Sequence, residues 1–228
     1  MSSQHKNWNT SQRYWLCFGL IATVLIVDQA VKIWIKTNFR IGEELPLIGD
    51  WCRITFTENV GMAFGMAFGG TTGKILLTLF RLIAASAILI YLLHLIRKEQ
   101  SRTSLLVSLS LIFVGAVGNL VDSCFYGLIF NDSYYQVATL FPEEGGYAPL
   151  FQGRVVDMFY FPLIDTHWPE WVPWIGGQHF SFFNAIFNVA DAAITIGVAW
   201  LLIDQLFLSP RHSKNHDTET DDHSKATA

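Results

Sequence analysis

The chain has 228 residues, of which 51% are hydrophobic, and a formal net charge of −4. That hydrophobic share lies within reach of a soluble domain, so composition alone does not set the class. Dispersed charges of both signs give no basic patch, which argues against nucleic acid as a partner. The three cysteines, Cys17, Cys52 and Cys124, have no metal-like spacing and predict no disulfide framework.

In chain order, four stretches are long and apolar enough to cross a bilayer, which takes about 20 residues: roughly 14–35, 73–96, 104–126 and 182–208. The sequence therefore predicts an all-α membrane protein with four transmembrane helices, forming a single integral-membrane domain over 1–208. The first stretch exceeds the apolar core of a signal peptide, and no small-x-small cleavage site follows it, so it is read as a retained helix. Between helices one and two, residues 44–57 read as a β-hairpin: Pro46 restricts the first arm, Gly49-Asp50 supplies a two-residue turn, and 51–57 alternates polar with apolar. A small extracytoplasmic sheet on the membrane surface is the expected product. The hairpin leads to Asn59 and a tandem Gly-Met-Ala-Phe repeat over 61–68, read either as a place of close backbone approach or as a hinge before helix two.

The region 127–181 is rich in proline and aromatic residues, with Trp168, Trp171 and Trp174 three apart, and is expected to anchor in the lipid headgroup layer. Beyond Pro210 the chain is polar, and 209–228 is expected to be a disordered cytoplasmic tail whose His212, His216 and His223 are solvated rather than metal-bound. Basic residues set the orientation. Lys6 and Arg13, then Arg97, Lys98 and Arg102, then Arg211, Lys214 and Lys225 fall on one side, which puts both termini in the cytoplasm. Lys36, Arg40 and Arg53 belong to the longer outer loop, and 127–181 adds only Arg154.

Polar residues within the apolar segments carry the functional information, because a carboxylate in or at the edge of a bilayer is costly and needs a partner. Asp28 and Lys32 are four apart and share a helix face. Asn119 and Asp122 are three apart in helix three, as are Asn188 and Asp191 in helix four. Gly115, one turn before Asn119, leaves room for a neighbouring helix or a substrate chain. Each patch alone reads equally well as interhelical glue, but three patches without an excess of intramembrane cations do not. The remaining aspartate, Asp157, follows Gly153-Arg154-Val155-Val156, and Asp157 and Asp191 are each other's natural partners. Asp122, Asp157 and Asp191, with Asp28, are expected toward the outer face, and none of the helix-associated aspartates is expected in the inward half.

Two carboxylates sharing one site titrate in two steps, leaving one protonated and one ionised at neutral pH. An aspartic protease needs that state: the ionised member activates water while the protonated member polarises the scissile carbonyl. No metal, cofactor or covalent intermediate is required, and neither a Ser/His/Asp set at common depth nor an HExxH motif offers another route. A proton-coupled transporter that relays protons through intramembrane aspartates is the alternative from another class. An inert scaffold assembled through its polar patches is a third reading.

The ordered motifs Asp28-Gln29-x-x-Lys32, Asn59-x-Gly61-x-Ala63-Phe64, Gly115-x-x-Gly118-Asn119-x-x-Asp122, Val155-Val156-Asp157 and Phe187-Asn188-x-Ala190-Asp191 closely resemble lipoprotein signal peptidase, also called signal peptidase II. The resemblance implies an aspartic endopeptidase of the bacterial inner membrane. Such an enzyme removes the signal peptide from diacylglyceryl-modified prolipoproteins, cutting just before the lipidated cysteine near the extracytoplasmic face. It implies Asp157 and Asp191 as the catalytic dyad, with Asn59, Asn119 and Asn188 as supporting hydrogen-bonding residues and Asp28 and Lys32 as nearby structural support. Gly115 and Asp122 fall in the same motif set. The partners implied are the prolipoprotein and membrane lipid, and a monomer is expected. Members usually carry arginine directly after the Asp of Gly-Asn-x-x-Asp, where this chain has Ser123; Arg154, three residues before Asp157, is the candidate to replace it. The outer segments 131–152 and 162–178 are longer than relatives need, and their composition favours anchors over lids.

Overall fold

The computed structural model describes residues 8–49, 51–60, 70–98, 101–182 and 185–208. Asp50, the 61–68 tandem and the tail with its three histidines lie outside the described residues. Among the described residues, four helices are long and apolar enough to cross a membrane: α1 Thr10–Asn38, α2 Gly70–Arg97, α3 Thr103–Ile129 and α4, which spans Val189–Phe207 in its apolar length. A capping box starts α1: the Asn9 side chain accepts from Gln12 N at 2.8 Å, and Gln12 Oε1 accepts from Asn9 N at 3.0 Å. Large apolar side chains such as Ile26, Phe80, Ile83 and Ile90 point outward, as a lipid-facing surface requires.

Helix α3 is the central one, with half of its most apolar window buried against 17–22% for the others. It packs most closely on α4, and small residues make that possible. A Cβ at Gly115 would collide with the carbonyl oxygen of Ala190 and lie 2.6 Å from Ile194 Cγ1; one at Gly197 would lie 2.8 Å from Ser108 O. Gly115 is thus where a helix approaches. The apolar centre of the bundle includes Cys17, Ile21, Leu92, Leu106, Val114 and Ala193. All three cysteines are free and buried.

Strands β1 Glu44–Ile48, β2 Cys52–Asn59, β3 Val155–Tyr160 and β6 Ile186–Phe187 form an antiparallel sheet in the order β1-β2-β3-β6. A separate hairpin pairs β4 Ile164–His167 with β5 His179–Phe182. The sheet rests on the end of the bundle where α1 and α3 finish, over a second core that includes Ile35, Phe56, Tyr126, Phe130, Val156 and Met158. Segment 131–152 packs into this core, with Ser133 and Ala138 buried, and exposes Tyr135 and Phe141 on its outer side. Segment 162–178 runs through the β4–β5 hairpin, whose connection exposes Trp171 and Trp174.

Four expectations are corrected. Helix four begins at Val189, not near 182, because Asn188 caps it and Ile186 and Phe187 pair with Tyr160 and Phe159 in the sheet. The hairpin turn holds three positions, 49–51, since Ile48 pairs with Cys52; Gly49 has φ +52°. Helix α3 runs past 126 and changes to a π-helical turn over Asp122–Tyr126, a distortion that is frequent at functional sites. Asp204, a buried aspartate of the fourth segment, lies at the end of the bundle away from the sheet, where Ser104 and Arg102 hold it. An aspartate therefore does mark that half.

Candidate active site

The site is assembled from five pieces of the chain: α1, the end of β2, the stretch of α3 from Asn119 into its π turn, the start of β3 and the first turn of α4. Asn188 precedes α4 and caps it. Its Oδ1 accepts from Asp191 N at 2.9 Å, while Asp191 Oδ2 accepts from Asn188 N at 3.3 Å. The cap fixes the Asp191 carboxylate at the helix entrance. The Asn188 amide also donates to Asp157 Oδ1 at 2.6 Å, with Val156 O at 3.3 Å and Asn119 Oδ1 at 3.1 Å within reach of the same NH2. One residue thus grips both aspartates, by side chain and by backbone.

Lys32 organises the layer beneath. Its ammonium meets Asp28 Oδ2 at 3.0 Å, Asp122 Oδ2 at 2.9 Å and Asn119 Oδ1 at 3.0 Å, three acceptors for three protons. Because an ammonium can only donate, Asn119 must turn its oxygen to Lys32, and its NH2 is then directed to Asp191 Oδ1 at 2.8 Å. The two flanking carboxylates act on the backbone. Asp28 Oδ1 accepts from Ala190 N at 2.9 Å and Asp122 Oδ2 accepts from Val156 N at 3.2 Å, so each holds the residue immediately before one dyad aspartate. Gln29, unassigned by sequence reasoning, ties them together. Its amide donates to Asp28 and Asp122 at 3.0 Å each, and its oxygen accepts from Tyr126 at 3.1 Å. A Cβ on Gly118 would stand 2.7 Å from Asp28 Oδ2, so glycine there makes room for the carboxylate.

Asp157 is 4% exposed, and its carboxyl is pushed up to about 7, first by burial and then by the nearby Asp191 charge. Hydrogen bonds from Asn188 and Asn59, and the charge of Lys32, oppose the rise. Asn59 lies at the end of β2, paired with Val155, and so reaches the dyad from the sheet. Asp157, Asp191, Asn59, Asn119, Asn188, Asp122, Asp28 and Lys32 therefore form one connected site, while Gly115 contributes helix packing beside it.

Arg154 does something else. Its guanidinium bonds Glu58 at 2.9 Å and Asp132 at 3.0 and 3.3 Å, between the rings of Tyr147 and Tyr134. Glu58 also receives Lys36 and, at 2.9 Å, the Ser133 hydroxyl, so this network pins 131–152 to the sheet. The cation beside Ser123 is instead Arg81 of α2, whose Nη1 donates to Ser123 Oγ at 3.2 Å. Sequence reasoning missed it, although an arginine in the middle of an apolar 28-residue helix is a functional signal by itself. Among the described residues, no group of three or more His, Cys, Asp or Glu could hold a metal ion.

The architecture defines an integral membrane protein with two carboxylates clamped at the junction of a surface sheet and a four-helix bundle. A family model described as signal peptidase (SPase) II matches residues 20–207, and the chain belongs to that family. It is a peptidase. A lipoprotein signal peptidase of Porphyromonas gingivalis is 47% identical over 185 residues, covering 81% of this chain and 80% of the relative. One from Amoebophilus asiaticus is 37% identical over 197 residues, covering 86% and 79%. A solved structure described as a bacterial membrane enzyme is similar with a TM-score of 0.55 and 25% identity, covering 90% of this chain and 94% of its own.

Proposed function

We propose that this protein is an aspartic endopeptidase that removes the signal peptide from diacylglyceryl-modified prolipoproteins, cutting on the N-terminal side of the lipidated cysteine. The observation that carries the mechanism is the shared clamp: Asn188 holds Asp157 by its amide and Asp191 by its backbone N–H. Burial and the neighbouring charge keep a proton on Asp157 near neutral pH. Asp191 is the partner that acts as base, placed in the first turn of α4 where the helix N-terminus favours negative charge. Asp191 takes a proton from water as the water oxygen bonds to the scissile carbonyl carbon, and Asp157 protonates the carbonyl oxygen. The C–N bond then breaks, the departing nitrogen takes the proton from Asp191, and Asp157 recovers its own.

The basic residues Arg13, Arg97, Lys98 and Arg102 gather at the end of the bundle opposite the sheet, which supports cytoplasmic termini and a dyad near the outer face of the bacterial inner membrane. That depth suits a substrate whose acyl chains stay in the bilayer. Trp171 and Trp174, 81% and 95% exposed, suit a headgroup anchor. A proton relay would need carboxylates strung between the two ends, where the described interior is instead apolar, at Ile21, Leu92, Leu109 and Val114. The test is mass analysis of products from purified protein and a prolipoprotein with or without diacylglycerol. Cleavage directly before the cysteine, in the lipidated substrate only, is expected; equal cleavage of the unlipidated form would overturn the substrate assignment.

A further inference from the structure

Helix α2 is apolar over most of its length, but Lys74, Thr78 and Arg81 fall at i, i+4 and i+7 and therefore share one face. That face turns inward. Lys74, Thr78 and Arg81 line a narrow crevice with Asn59, Ser123 and Val155, next to the dyad. Thr78 is held by Phe151 O at 3.2 Å. Arg81 is half-buried, and its guanidinium interacts electrostatically with Asp191, Asp122 and Asp157. Among the described residues it forms no ion pair within salt-bridge distance, and its one hydrogen bond is to Ser123 Oγ. A guanidinium has five N–H donors in a rigid fork, so most remain available beside the carboxylates. An ionisable side chain inside a membrane helix marks a functional site by default.

We infer that Arg81 is a substrate-positioning residue that reaches the site from α2 and donates its remaining N–H groups to a carbonyl oxygen of the bound substrate. Ser123 links the arginine to α3: its hydroxyl donates to Asn119 O at 2.8 Å and accepts from Arg81 Nη1 at 3.2 Å. This inference rests on the two-aspartate reading above. The acceptor is either a backbone carbonyl near the scissile bond or an ester carbonyl of the diacylglyceryl group.

The test compares KM and kcat of Arg81→Ala, Arg81→Lys and Arg81→Ala/Ser123→Arg with wild type, on ester-linked and ether-linked diacyl substrates, with Asp157→Asn and Asp191→Asn alongside. Arg81→Ala is expected to raise KM about tenfold, equivalent to about 1.4 kcal/mol, with kcat changed less than about twofold. Arg81→Lys falls between, and Ser123→Arg restores most of the loss, since removal of the Arg81 side chain clears the space next to Ser123. A penalty on both substrates assigns the backbone carbonyl, and a penalty on the ester alone assigns the lipid. An unchanged KM, a loss confined to kcat, or no recovery in the double variant overturns the inference while inactive aspartate variants leave the dyad standing. Active aspartate variants would overturn the dyad itself, whatever Arg81 does.

Discussion

Asp157→Asn should make the protein more stable at neutral and alkaline pH. The folded carboxyl stands at about 7 against 3.8 for the ordinary group. At 1.36 kcal/mol per unit, carrying that charge in the folded state costs on the order of 4 kcal/mol. The folded state keeps a proton that the unfolded chain releases, so wild-type stability falls as pH rises through about 4 to about 7 and then levels. Asparagine keeps an Oδ1 to accept from Asn188 but places an NH2 where the second carboxylate oxygen stood. One lost hydrogen bond of about 1 kcal/mol leaves a net gain of roughly 3 kcal/mol above pH 7. The assay is thermal and denaturant unfolding in detergent at pH 4.5, 6 and 8 for wild type and variant. A gap that opens with pH supports the reasoning. A variant that is less stable at pH 8, or a gap of one size at every pH, refutes it.

Other outcomes follow from the same geometry. Cleavage rate should decline as pH rises past about 7, because Asp157 then gives up the proton that the proposed chemistry uses; a rate still rising at pH 9 would contradict this. Lys32→Met removes the ammonium that meets three acceptors and leaves Asp28 and Asp122 facing each other, which should cost about 3–5 kcal/mol in unfolding measurements. Gly115→Val drives a side chain into Ala190 and Ile194, so a loss of about 1–3 kcal/mol is expected, with reduced activity because Asp191 rides on the displaced helix.

Much of this site can be read from the sequence because its parts are local: Asp28 with Lys32, Asn119 with Asp122, and Asn188 with Asp191 each fit one helical turn. The four spans are legible for a similar reason, since a 20-residue apolar run has few soluble explanations. What stayed hidden depends on pairing across long separations. Ile186 and Phe187 belong to an apolar run that looks helical, and only their register against Phe159 and Tyr160 makes them a strand. Arg154 lies three residues before Asp157, an odd separation that in extended chain puts the two on opposite sides, and its side chain turns to Glu58 and Asp132. The π turn at Asp122 leaves no periodic signature. Arg81 belongs to no motif quoted for the family, so only its polarity within α2 could have marked it.

The most direct test of the central claim is single-turnover cleavage of a diacylglyceryl-modified prolipoprotein by wild type, Asp157→Asn and Asp191→Asn, each first shown to be folded in detergent. The two-carboxylate site predicts that both variants bind substrate and lose cleavage by at least about a thousandfold, while remaining folded. Near-normal turnover by either folded variant would contradict it.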